Sequence, residues 1–263
     1  MKVLLVGDVV GSPGRRILKA VVARHRAEGL AHAIVVNAEN AAGGNGITPE
    51  LGREILGYGV DAITLGDHVW DQKGIGPWLD AERRVVRPAN LPPECPGHGF
   101  AVVRTPLGDL GVVALLGRVF MRPENGCPFH EADRLLASAL PRNIPVVVDI
   151  HAEATSEKIA LGRHLDGRVS AVVGTHTHVQ TSDARILPGG TAYLTDLGMT
   201  GPWDSVIGRE IPTVLGKFLT GMPAKLEVAH GRAALEGVLV DIDRETNRAK
   251  SIALVREFDD PTP

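Results

Sequence analysis

Apolar residues fall along this chain in two rhythms, short unbroken runs and longer stretches in which they return every three or four positions. The runs KVLLV (2–6), AIVVN (33–37), DAITL (61–65), VVVDI (146–150) and AVVGT (171–175) have the length and β-branched content of buried strands. Between them, Arg15 to Arg26 reads as an amphipathic helix and Glu157 to Leu165 as another. Thr48 can cap a further helix, with Pro49 at its first position and Glu50 in the first turn, where free N–H groups favour an acid. Strand and helix taking turns predicts an α/β fold. FAVVRT (100–105) and LGVVALLG (110–117) are expected to pair about a Gly-Asp turn, after a surface loop from Arg87 to Gly99. ALEGVLVDID (234–243) and AKSIALVREF (249–258), bridged by Arg244 to Arg248, predict a closing antiparallel hairpin. Without repeats, low-complexity tracts or a long linker, a single domain over 1–263 with two packed sheets is the economical organisation.

Composition narrows the function classes. The 28 Lys and Arg are outnumbered by 31 Asp and Glu, a formal net charge of -3. Wrapping a phosphate backbone draws on clustered basic residues in excess, so no stable nucleic-acid complex is expected, while a small nucleotide fits. No apolar run approaches 18 residues, so no membrane span is expected. Asp8 and Pro13 interrupt the first apolar run before it could form a signal-peptide core. Cys95 and Cys127 are too few for a disulfide scaffold or a structural zinc cluster and read as ordinary thiols of a cytoplasmic protein. Ten histidines then await a role.

Ligands of open α/β sheets bind beyond the carboxyl ends of the strands, so the residues at the end of each run are informative. They are Gly7-Asp8, Asn37-Ala38-Glu39-Asn40, Gly66-Asp67-His68, Asp149-Ile150-His151 and Gly174-Thr175-His176-Thr177-His178. Singly each has a local explanation as a cap, a turn or a hydrogen-bonded imidazole. Together they place acids, amides and imidazoles at five strand ends. Imidazole, carboxylate and amide oxygen suit iron, manganese or zinc better than calcium or copper(I). Asp8, Glu39, Asn40, Asp67, His151, His176 and His178 make seven candidate ligands, too many for one open ion and enough for two. Two ions clamp the attacking and leaving oxygens of a phosphoryl displacement and lower the pKa of a water between them. Glu39 has the chemistry to bridge, and His68 could serve as general acid.

At these positions the sequence closely resembles the YmdB-like bacterial metallophosphoesterases, a branch of the calcineurin-like superfamily. The resemblance runs from Gly7 to about Gly208 through GDVVGSPGRR, NAENAAGG, LGDHVWD, GRVFM, HAEATSEK, GTHTHV, TDLGMTG and DSVIG. It implies a four-layer αββα sandwich, two mixed β-sheets flanked by helices. It also implies a two-metal centre of iron or manganese, with zinc as the alternative, that hydrolyses small phosphodiesters including 2',3'-cyclic nucleotides, and a homo-oligomer. By the family pattern one ion is held by Asp8, Asn40 and His178 and the other by Asp67, His151 and His176, with Glu39 bridging and His68 the catalytic acid. The family usually carries Asn where this chain has Asp67. The extra carboxylate is expected to tighten metal binding, to weaken attraction for an anionic diester and to keep His68 protonated.

Other chemistries fit less well. Gly7, Gly11 and Gly14 lack the Gly-x-Gly-x-x-Gly spacing of a dinucleotide site, and Asp8 would repel a pyrophosphate. No serine lies in a Gly-x-Ser-x-Gly elbow. The competing reading is a metal-stabilised regulatory or scaffold protein with little turnover. Arg118 reads as a surface residue and Thr155, Ser156 and Glu157 as a helix start. Phe120, Met121 and Met199 are assigned to packing, and His25, His32, His98, His130, His164 and His230 to structure or surface. Trp70, Trp78, Trp203 and Tyr193 are the aromatic faces considered for a base.

Overall fold

In Lys2–Val6 (β1), alternate side chains enter different cores. Leu4 and Val6 pack with helical residues such as Ile17 and Leu18, whereas Val3 and Leu5 meet Val112, Ala114 and Val147 of another sheet. A strand buried on both faces leaves no room for polar alternation, which is why KVLLV is continuous. The computed structural model describes residues 1–122 and 124–259.

The first sheet grows from β1 through the short Asp8–Val9 (β2), helix Gly11–Ala27 (α1), Ala33–Asn37 (β3), helix Pro49–Gly57 (α2), Ala62–Thr64 (β4), helix Ile75–Ala81 (α3) and Val85–Val86 (β5). Strands β1, β3, β4 and β5 are parallel neighbours. The second sheet begins with Phe100–Thr105 (β6), antiparallel to Gly108–Leu116 (β7). Helix Pro128–Arg134 (α4) runs on into a π-helical turn, Leu135–Ala139. Then come Val146–His151 (β8), helix Thr155–Leu165 (α5), Ala171–Thr175 (β9), Arg185–Ile186 (β10) and Ala192–Leu194 (β11). In this sheet β7, β8, β9 and β11 are parallel and β6 and β10 are antiparallel edges. The chain returns to the first sheet with Met199–Pro202 (β12), helix Ile211–Thr220 (α6), Ala233–Ile242 (β13) and Ala249–Phe258 (β14). Strand β13 lies antiparallel between β1 and β12 and also carries β14.

Helices α1 to α3 cover one outer face through Ile17, Ile55 and Leu79, and α4 and α5 cover the other through Ala132, Leu161 and Leu165. Between the sheets lies the third core, with Leu5, Val35 and Ala62 facing Val112, Val147 and Val173. This is the four-layer sandwich of two mixed sheets. Among the described residues no helix is long and apolar enough to cross a membrane.

The Thr48 cap forms as expected, its hydroxyl accepting from Leu51 N at 3.3 Å. One expected turn is displaced. Gly108 and Asp109 already belong to β7, and Pro106 and Leu107 make the turn instead. Thr105 Oγ1 closes it, accepting from Leu107 N at 3.1 Å and donating to Gly108 O at 2.7 Å. Helices α3, α4 and α6 and the short strands β2, β5, β10, β11 and β12 lie outside the elements the apolar pattern predicts.

Candidate metal centre

Strand parity puts polar groups where the inter-sheet core ends. Residues 33, 35 and 37 of β3 share the face that carries Ala33 and Val35 into that core, and Thr64, Asp149 and Thr175 follow the same parity on their strands. These four close over one another across the two sheets. Asp149 Oδ2 accepts from Thr64 Oγ1 at 2.5 Å and Asn37 Nδ2 at 3.1 Å, and its Oδ1 accepts from Thr175 Oγ1 at 2.7 Å. Burial pushes the Asp149 carboxyl up, and these three donors oppose the shift. With its O–H donated in a hydrogen bond to Asp149, the Thr175 oxygen accepts from His151 Nδ1 at 2.9 Å. That bond selects the His151 tautomer and turns Nε2 toward the site.

His151 Nε2 is the hub. It lies 2.9 Å from Glu39 Oε1, 3.0 Å from Asp67 Oδ1 and 3.0 Å from His176 Nδ1. One ligand atom from each of Glu39, Asp67, His151 and His176 falls within 4.8 Å of the others. A second set adjoins it: Asp8 Oδ1 is 3.8 Å from His178 Nε2 and 3.9 Å from His151 Nδ1. Asp8 Oδ1 and Asn40 Oδ1 are buried with no hydrogen-bond partner among the described residues. Their other atoms are engaged, Asp8 Oδ2 accepting from His176 N at 3.1 Å and Asn40 Nδ2 donating to Gly44 O at 3.1 Å. Both side chains are thus held with one oxygen left over.

Close packing brings these groups together. A Cβ on Gly66 would overlap Glu39 Oε2 and the His151 ring, so only glycine lets the β4 end approach them. His176 and His178 adopt φ of 100° and 64°, sparsely populated for residues with a side chain. The strain is held from several sides: His176 N donates to Asp8, Thr177 N to Asp196 Oδ2 at 3.2 Å, and His178 Nδ1 to Ile207 O at 3.2 Å.

The electrostatics show what the cluster lacks. Burial pushes the Asp8 carboxyl well above its usual range, with Glu39 adding to the rise and His151 opposing it. Burial disfavours charge on His151, yet the Glu39 charge and the bonds to Asp67 and Glu39 outweigh it and hold the imidazole well above its usual range. Burial of Asp67 is likewise outweighed by hydrogen bonds from His151 and His176, which keep it below the ordinary carboxylate range. Burial pushes His178 down to about 4, leaving it a neutral donor of a lone pair. The upward shifts of Asp8 and His151 both mark a buried cluster of acids short of positive charge. Donors around a single ion with bonds of about 2.1 Å sit about 3.0–3.4 Å apart, close to the spacing around His151 Nε2. The set fits a first-row transition metal ion.

His68 sits at the rim of the same cavity. Its backbone N–H donates to Glu39 Oε2 at 3.2 Å, and its Nδ1 donates to Asp71 Oδ2 at 2.8 Å. The eight residues singled out at strand ends thus surround one site. Residues that the sequence reading did not select also enter it: Glu153, whose Oε2 is 3.3 Å from His176 Nε2, the Asp149–Thr175 relay, and Arg209, which donates to Gly43 O, Gly44 O and Leu226 O. Asp149 was visible as a strand-end acid and Glu153 lay within the HAEATSEK string, whereas Arg209 stands in a loop just past DSVIG.

Several assignments change. Trp78 and Tyr193 are buried and Trp70 packs on the first core, so none offers a free face. Trp203 stacks edge-on against Phe258 at 5.0 Å. Phe120, assigned to packing, is 87% exposed at φ 64°. Glu157 does more than start α5, because its carboxylate accepts from Arg118 N at 3.0 Å and Val119 N at 3.2 Å and so anchors the GRVFM loop. Cys95 and Cys127 are free thiols.

Comparison with known proteins places this architecture among relatives. The family described as YmdB-like protein matches residues 4–255. A 2',3'-cyclic-nucleotide 2'-phosphodiesterase of Bacillus subtilis (strain 168) is 47% identical over 260 residues, 99% of this chain and 98% of the relative. The crystal structure of a hypothetical protein from Thermus thermophilus is 42% identical with a TM-score of 0.92, covering 99% of this chain and 100% of the other. That of a novel phosphatase of Mycoplasma pneumoniae has the same TM-score of 0.92 at 34% identity, covering 100% of this chain and 95% of the other.

Proposed function

The chain belongs to the YmdB-like family, and we propose that it is a metal-dependent phosphodiesterase that accepts 2',3'-cyclic nucleotides. The observation that carries the proposal is the pair of buried, unpartnered oxygens of Asp8 and Asn40 beside the Glu39, Asp67, His151 and His176 set. On this reading Asp8, Asn40 and His178 hold one ion, Asp67, His151 and His176 hold a second, and Glu39 serves both. Bound there, iron or manganese, with zinc as the alternative, would supply Lewis-acid charge to phosphoryl oxygens and lower the pKa of a water.

The remaining work falls to the chain's own groups. Asp149 and Thr175 fix the tautomer and direction of His151, as outer partners of ligating imidazoles do. Asp71 accepts from His68 Nδ1, leaving Nε2 as the ring nitrogen that can carry a proton to the leaving oxygen. With a 2',3'-cyclic phosphate the P–O2' bond breaks, water supplies the new oxygen on phosphorus, and O2' takes the proton from His68. The product is the 3'-monophosphate.

The test is to purify the protein without chelators, measure its metals by elemental analysis, and assay bis-(p-nitrophenyl) phosphate and 2',3'-cyclic AMP with and without added Mn²⁺. Bound metal and hydrolysis of both substrates are expected. Neither metal nor turnover would sink the reading, and metal without turnover would favour the scaffold alternative.

A further inference from the structure

The metal-site residues form only one wall of a cavity of about 490 Å³. His68, His176 and His178 stand on that wall. The facing wall is apolar and comes from a segment that contributes no ligand: Val206 and Ile207, then Val214 and Phe218 of α6, and Leu226. Val214, Lys217 and Phe218 occupy positions i, i+3 and i+4, so they share one helix face turned to the cavity. Phe218 is 81% exposed, and its ring has no aromatic partner among the described residues. The Lys217 side chain makes no hydrogen bond or ion pair among the described residues, its carbonyl alone accepting from Gly221 N at 2.9 Å.

This wall is fixed relative to the metal site rather than loosely hung beside it. Ile207 O accepts from His178 Nδ1 at 3.2 Å, and Ile207 itself takes φ 45°, a conformation costly for a β-branched residue. The Arg209 guanidinium ties the same loop to the Asn40 side, donating to Gly44 O at 2.7 Å and to Leu226 O at 2.9 Å. One arginine thereby holds the apolar wall and the loop after β3 at a set distance. A strained, clamped and solvent-facing apolar surface beside catalytic imidazoles suits a rigid ligand group.

We propose that α6 and the 206–209 loop form the subsite for the non-reacting part of the substrate, with Phe218 as the face on which a nucleobase packs and Lys217 as the donor to acceptors on its edge. The inference rests on the phosphodiesterase reading and adds to it a determinant of substrate class. A base offers a flat π-face of any sequence, which an exposed phenyl ring accepts without discrimination between bases. The site would therefore prefer nucleoside phosphodiesters over diesters without a base, with little preference among bases.

Two measurements on wild type and Phe218→Ala test this. One is calorimetric binding of adenosine 3'-monophosphate and of glycerol phosphate. The other is KM for 2',3'-cyclic AMP and for glycerol 1,2-cyclic phosphate. The variant should weaken adenosine 3'-monophosphate about tenfold more than glycerol phosphate and raise the two KM values in the same ratio, with Phe218→Trp restoring the preference. Equal effects on both ligands, no effect on either, or a change confined to oligomeric mass by light scattering would overturn the subsite. Binding of the nucleotide by a wild-type protein that hydrolyses nothing would leave the subsite standing and count against the phosphodiesterase reading alone.

Discussion

Lys158 Nζ lies 2.7 Å from Asp196 Oδ2, with both side chains buried, and this ion pair sits under the His176–His178 turn. The same carboxylate oxygen accepts from Thr177 N and from Thr177 Oγ1 at 2.8 Å, while Oδ1 accepts from Gly198 N at 2.9 Å. One buried acid thus gathers the residue between two strained histidines, and one buried lysine neutralises it. Lys158→Met would strand that carboxylate. Losing one partner of a buried pair costs about 3–5 kcal/mol, so the variant should unfold at lower denaturant and lose metal as the turn relaxes. Asp196→Asn in the Lys158→Met background should recover part of the stability. Urea unfolding with elemental analysis of each variant checks both statements.

Metal removal should expose the strain of Asp8. Its carboxyl is raised above the ordinary 3.8 by burial, so in the metal-free fold its ionisation destabilises. The penalty is absent at low pH, where Asp8 is protonated folded and unfolded, and it grows as pH rises from the ordinary value toward the raised one. In chelated protein Asp8→Asn should therefore raise the melting temperature, more at pH 8 than at pH 5. With metal supplied the order should reverse, because on the proposed reading Asp8 is a ligand. A chelated variant less stable than chelated wild type at pH 8 would contradict the assignment.

Asp67→Asn separates two consequences of the carboxylate. Asp67 Oδ1 lies 3.0 Å from His151 Nε2 and 3.6 Å from His176 Nδ1, so an amide oxygen could take up the same place without its charge. The variant should release metal to a chelator faster and show a lower KM for bis-(p-nitrophenyl) phosphate, an anion that three acids repel. Unchanged metal release together with unchanged KM would mean that the charge at this position does not matter.

Gly66→Ala tests the close approach of the β4 end. The added methyl would meet Glu39 Oε2 and the His151 ring, neither of which can retreat without breaking the hub. The variant should keep its far-ultraviolet circular dichroism and lose most of its metal. Full metal content in a folded variant would show that the site adjusts more freely than its packing suggests.

How much of this could be read from the sequence depends on how local each signal is. Strands β1, β3, β8 and β9 were legible because each is buried on both faces and so is an unbroken apolar run. Their carboxyl ends carry Asp8, Glu39, Asn40, His151, His176 and His178, which the fold brings close together. Helix α6 was not legible: Gly216 lies inside it, and Leu215, Phe218 and Leu219 are exposed, so its apolar residues mark no buried stripe. The Phe218 face proposed for a base lies within it. Lys158 in a helical stretch reads as a solvated charge, and only the return of the chain at Asp196, 38 residues on, buries it. The Gly108-Asp109 pair has good turn chemistry, but the Thr105 hydroxyl closes the turn two residues earlier, at Pro106 and Leu107.

The role of His68 can be separated from metal binding because its ring makes its hydrogen bonds outside the hub. His68 Nδ1 donates to Asp71 Oδ2, and only its backbone N–H reaches Glu39. His68→Ala should retain metal and structure and lower kcat for a poor leaving group such as the O2' of 2',3'-cyclic AMP by about 10²–10⁴-fold, the usual worth of a positioned acid. Bis-(p-nitrophenyl) phosphate, whose leaving group needs little protonation, should suffer much less. Asp71→Asn should fall between, since it leaves the imidazole in place but removes the carboxylate that sets its tautomer. Equal losses on the two substrates in His68→Ala, with metal intact, would show that His68 binds or positions the diester rather than protonating its leaving oxygen.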